Sequence, residues 1–173
     1  MTRPLRISFE GAVYHVMARG NRRDPIFHTD RDKQIFTAKM SETFQKYSII
    51  CYAYCLMEKH YHIFFMTPLG NISAAMHYLN SSYANWFRTK YGIVGNVFQG
   101  RFKSILVDRD NYALTLTIHI HLNLPRPGIV LKLGDYSWST ISIIWGYGQT
   151  LKLKILRELF SLSLKKGGQY IGG

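Results

Sequence analysis

Residues 49–66 read IICYAYCLM, Glu58, KHYHIFFM: two apolar runs of strand length, broken only around Glu58 and Lys59. Both are rich in aromatic and β-branched residues, and so short a break makes them neighbouring strands joined by a tight connection. The rest of the chain has to fold around this pair. Upstream, AVYHVMA (residues 12–18) alternates weakly and runs into RGNRRD, a Gly-Asn turn. From Asp30 the period changes to helical, with Ile35, Phe36, Met40, Phe44 and Tyr47 recurring at helical spacing and Asp30 as the expected N-cap. Downstream of Gly70 and Asn71, the residues Ile72, Met76, Leu79, Tyr83 and Trp86 form one apolar stripe, which Gly92 ends. KSILVDR, after VGNVFQGRF, reads as a further strand. The order strand, helix, strand, strand, helix, strand is the α+β, ferredoxin-like (split βαβ) arrangement, an open antiparallel sheet with helices on one face.

The hairpin carries polar residues where apolar ones would be the easy choice. His60 and His62 lie two apart on a strand, so both project from one face, while Tyr61 points to the other and is expected in the core. Two neutral imidazoles side by side can grip a metal ion if a third ligand arrives from elsewhere. One reading is a pair of half-buried histidines without a ligand. A second is zinc, from Cys51, Cys55, His60 and His62, although that spacing departs from structural zinc sites. A third is Mg²⁺ or Mn²⁺ polarising a phosphate.

Charge favours the third. The 173 residues hold 22 Lys+Arg against 10 Asp+Glu, a net charge of +12, which points to a polyanionic partner. The apolar share of 47% is that of a globular chain, and the length is that of one domain with an appended tail. The first residues, MTRPLRISFEG, lack the apolar core of a signal peptide, and no segment has the length of a membrane span. Two cysteines make no disulfide framework in a chain this size. The expectation is a cytoplasmic protein with no membrane partner.

The stretch DNYALTLTIHIHLN (residues 110–123) alternates as a strand would, with β-branched Thr115, Thr117, Ile118 and Ile120. Read as a helix, it instead aligns His119 with Asn123, one turn apart. Beyond Pro125, glycine, serine and aromatics mix, and LKLKILRELFSLSLKK forms a basic amphipathic stretch, read as a helix docked on the body.

Four segments, AVYHVMARGNRR, AYCLMEKHYHIFF, FQGRFKSILVDRD and IHLNLPRPGIV, resemble in order the single-tyrosine His-hydrophobic-His (HUH) transposases of small insertion sequences and their REP-associated relatives. The resemblance runs from about Arg3 to Ser139. It implies a nuclease domain over residues 1–139 and a C-terminal tail over 140–173. It further implies that His60 and His62 hold Mg²⁺ or Mn²⁺, with Asn123 completing the site on a helix spanning 111–123. In that family a tyrosine attacks a DNA phosphate, making a 5′-phosphotyrosine link, and the proteins act as homodimers on single-stranded DNA with hairpin ends. Arg19, Asn21, Arg22, Arg23, Arg101 and Lys103 are the candidate DNA contacts, while His15 either packs or touches DNA.

The chain departs from the pattern at the nucleophile. His119 stands where the tyrosine is expected, Ile118 where arginine is usual, and the following segment reads NLPRPG. Tyr112 lies seven residues earlier, about 10 Å along a helix axis, and is read as packing. Imidazole can itself attack phosphate. The alternatives are therefore a strand-cleaving transposase and an inactive hairpin-binding protein. An RNA-binding sheet module is a more distant third, because it needs aromatics where His60 and His62 stand.

Overall fold

The computed structural model describes residues 7–107 and 138–139. The chain divides into two compact units, Met1–Val107 and Asp108–Gly173. The elements below all belong to the first unit; of the second, only Trp138 and Ser139 are described.

Strand β1 (Ala12–Arg19) leads through a 3₁₀ turn (Asn21–Arg23) to helix α1 (Asp30–Lys46). The hairpin follows as β2 (Ile50–Met57) and β3 (His60–Thr67), then helix α2 (Ile72–Tyr91) and β4 (Lys103–Leu106). The strands lie in the order β2-β3-β1-β4, every neighbouring pair antiparallel. This is the ferredoxin-like arrangement expected from the sequence. Glu58 and Lys59 make the hairpin turn, and their carbonyls also anchor the β1–α1 connection. The Glu58 carbonyl accepts from the amides of Ile26 and Phe27, and the Lys59 carbonyl from that of Gly20.

Both helices pack on the face that carries Tyr61. Its ring lies 4.9 Å from that of Phe36 on α1, and its hydroxyl donates to Asn80 on α2 at 2.7 Å. Phe36 is fully buried and also meets Phe27 at 5.3 Å and Tyr83 at 5.1 Å between ring centroids. Removing such a ring costs about 3–5 kcal/mol. The buried stripe of α2 is Ile72, Ala75, Met76, Leu79, Tyr83 and Phe87. The expected last member, Trp86, is half-exposed; Phe87, a full turn beyond Tyr83, takes the core position, as a 3.6-residue period requires over five turns. Gly92 closes the helix in the left-handed conformation, φ 63°.

The start of α1 corrects one expectation. Thr29, not Asp30, is the N-cap, because the side chain that closes the first turn comes from Asp32 three residues on. Asp32 Oδ2 accepts from the amides of His28 (2.7 Å) and Thr29 (2.9 Å). The same buried carboxylate accepts from Lys90 and Tyr91, tying the start of α1 to the end of α2. Burial alone would raise its pKa; the bonds from Lys90, Tyr91, Thr29 and His28 outweigh that and hold it down to about 2.

Candidate nucleic-acid and metal site

The face of the sheet turned away from the helices carries the histidines. The β1–β3 register sets Arg19 opposite His60 and Met17 opposite His62, and β4 sets Lys103 opposite Met17. Directly opposed residues share a face, so both histidines, Arg19 and Lys103 gather on one patch. The His60 and His62 rings are 5.2 Å apart and nearly perpendicular. Burial, and then the charge of Arg19, push the His60 pKa below the ordinary imidazole value, so the ring is neutral at pH 7, the form that ligates metal. His15, on β1 and 5% exposed, brings its Nε2 to 2.9 Å from Nδ1 of His62.

A cleft of about 610 Å³ opens here; among the described residues it is lined by His60, His62, Gln99 and five cations, Arg19, Arg23, Lys59, Arg101 and Lys103, and by no acidic side chain. A second groove, about 690 Å³ along α2, contains neither His60 nor His62. The backbone beyond β1 shapes the first cleft. Gly20 bridges to Phe98, the Gln99 amide donates to the Arg19 carbonyl at 2.9 Å, and Asn21 donates to Val97. The Gln99 side chain in turn accepts a hydrogen bond from Arg19 Nε. Gly20 is required by proximity rather than by φ, since a Cβ there would lie 1.9 Å from the Asp24 carbonyl oxygen.

Of the residues singled out in the sequence, His60, His62, Arg19, Arg23, Arg101 and Lys103 line this cleft. Asn21 and Arg22 sit in the adjoining 3₁₀ turn and do not line it. His119, Asn123 and Tyr112 lie outside the described residues. Lys59 and Gln99 are cleft residues that the sequence reading passed over. Lys59 adjoins the histidines in the hairpin turn, which was a usable signal; the Gln99–Arg19 contact spans 80 positions and had none.

The zinc set does not converge. Cys51 pairs with Phe65 and Cys55 with His62, three residues apart on β3 and so on opposite faces, because β2 is irregular between Cys51 and Ala53. Burial pushes both thiols up to about 12, away from the thiolate that zinc needs. Among the described residues, no three His, Cys, Asp or Glu side chains are grouped to hold a metal ion. His60 and His62 fit a metal as two of its ligands: two imidazoles on one face, one of them held neutral, in a cleft where a phosphate could supply further oxygens.

The structure resembles that of a REP-associated tyrosine transposase bound to a REP hairpin, with a TM-score of 0.68 at 18% identity, covering 83% of this chain and 84% of that one. A putative transposase from Deinococcus radiodurans R1 matches at a TM-score of 0.48 and 13% identity, over 68% of this chain and 95% of that chain. No curated protein matches the sequence. Among the described residues, no helix is long and apolar enough to cross a membrane. The family model for IS200-like transposases matches residues 8–121, which take in every element from β1 to β4, and the chain belongs to that family.

Proposed function

We propose that this transposase-family chain binds single-stranded DNA with hairpin ends across the histidine face of its sheet, as a homodimer. The observation that carries the reading is the cleft itself, where, among the described residues, two imidazoles sit among five cations with no carboxylate to repel a phosphate. Arg19 is pre-set for that task. Its Nε is bonded to Gln99, so a phosphate meets a guanidinium already held in place, with the Nη groups able to form paired bonds. Lys59, Lys103 and Arg101 add charge around the same volume and steer the backbone toward the histidines.

His60 and His62, with Asn123 as a third ligand, are the residues that would hold Mg²⁺ or Mn²⁺. Such an ion supplies Lewis-acid polarisation of a phosphate oxygen when bound. In the family's reaction a tyrosine oxygen displaces the 3′-oxygen of the scissile phosphate, and the freed strand ends in a 3′-hydroxyl. The family resemblance sets His119 at that position, and this substitution favours the second reading, a hairpin-binding protein that has lost strand cleavage. A denaturing gel with labelled single-stranded hairpin DNA and Mn²⁺ separates the two. It compares the native chain with His119→Tyr and His60→Ala. A covalent adduct with the native chain establishes cleavage by another nucleophile, and an adduct only with His119→Tyr establishes an intact site lacking one group. No adduct in any lane, with DNA still bound, favours the binding protein and weakens the metal assignment. Loss of DNA binding altogether rejects both readings.

A further inference from the structure

His15 lies on β1, outside the pair that the metal reading uses, yet it touches that pair. Its Nε2 is 2.9 Å from Nδ1 of His62; the ring centroids are 5.1 Å apart with planes 25° from parallel. Rings so nearly coplanar at that separation meet edge to edge, the orientation an N–H···N bond requires. One of the two nitrogens must carry the proton, and the choice fixes the tautomer of both rings. Nδ1 of His62 is committed to this bond, so only Nε2 of His62 can serve as a metal ligand. Nε2 has a lone pair to give only if the proton is on Nδ1.

We propose that His15 is a positioning residue, which accepts the Nδ1–H of His62 and thereby sets the His62 lone pair on Nε2, toward the cleft. The inference rests on the metal reading above. Its structural support is independent of the ion. His15 is 5% exposed, fixed on a central strand between β3 and β4, and one diagonal step from His62, whose direct partner is Met17. A buried imidazole at this place costs desolvation, which the bond to His62 offsets. Outer partners of this kind orient ligating histidines and raise their basicity, and losing one typically weakens metal binding by about 10–100-fold.

The test combines two readouts on the full chain. Long-range ¹H–¹⁵N spectra of metal-free protein, labelled at histidine, report the His62 tautomer. Titration with Mn²⁺, followed by electron paramagnetic resonance, reports affinity for the native chain, His15→Gln, His15→Phe and His60→Ala. Glutamine can place an acceptor oxygen near the position of Nε2, whereas phenylalanine keeps only the ring. The expected result is an Nδ1–H tautomer in the native chain and in His15→Gln. Mn²⁺ affinity should be near native in His15→Gln and about 10–100-fold weaker in His15→Phe. A proton on Nε2 of His62 in the native chain overturns the inference, as does a folded His15→Phe with native affinity. A native chain with the Nδ1–H tautomer that takes up no Mn²⁺ supports the bond assignment and instead removes the metal reading. Should His15→Phe not fold, the native tautomer and His15→Gln still decide.

Discussion

Raising the salt concentration is the simplest perturbation of a cleft lined by Arg19, Arg23, Lys59, Arg101 and Lys103. Each phosphate these groups neutralise releases condensed counterions, and for single strands log K falls by about 0.7 per phosphate for each decade of salt. If each of the five cations meets one phosphate, the slope is about −3.5, and affinity drops about a hundredfold between about 50 and 200 mM salt. Lys103→Gln removes one contact and should flatten the slope to about −2.8. Lys46→Gln is the control, because Lys46 lies over the Tyr78 ring at 4.1 Å, outside the cleft lining. Fluorescence anisotropy of a labelled hairpin oligonucleotide, titrated across that salt range, gives all three slopes. A native slope shallower than about −1, or a larger change from Lys46→Gln than from Lys103→Gln, refutes the assignment of the binding charge to this cleft.

Asp32 gives a stability prediction with a defined pH window. Its carboxyl pKa falls from 3.8 to about 2 on folding, which corresponds to about 2 kcal/mol present above pH 3.8 and lost as the pH drops through 2. Asp32→Asn should therefore lower urea-unfolding stability at pH 7 by about 2–3 kcal/mol and lose most of that difference near pH 2; equal stability at pH 7 contradicts it. Gly20→Ala forces the Asp24 carbonyl away from a Cβ that would otherwise sit at 1.9 Å. It should both destabilise the fold and weaken hairpin binding, since the same turn carries Arg23; unchanged melting temperature and binding would sink that reasoning.

The order of strands and helices along the chain was legible because each element rests on local signals. A two-residue break dictates the β2–β3 hairpin, and the i, i+4 stripe from Ile72 to Tyr83 dictates α2. The strand period also placed His60 and His62 together and Tyr61 in the core. Finer details depended on tertiary contacts. The Thr29 cap was legible in principle, since Thr29 and Asp32 form a local Thr-x-x-Asp capping box, whereas the bonds of Asp32 to Lys90 and Tyr91, 58 and 59 positions away, had no local signal. The positions of His15 and Gln99 follow from β1 pairing with β3 and from the Gly20–Phe98 bridge, neither of which any motif announces. The segment holding His119 and Asn123 reads as a strand by alternation and as a helix by family likeness; it lies outside the described residues.

Photo-crosslinking of a single-stranded hairpin oligonucleotide to the native chain, with the crosslinked peptides mapped by mass spectrometry, tests the DNA-binding face most directly. Crosslinks within residues 17–23, 59–62 and 99–103 are the predicted result, because these segments wall the histidine cleft. Crosslinks confined to the groove along α2, around Asn80, Asn85 and Arg88, would contradict it and move the nucleic-acid site to the helical face.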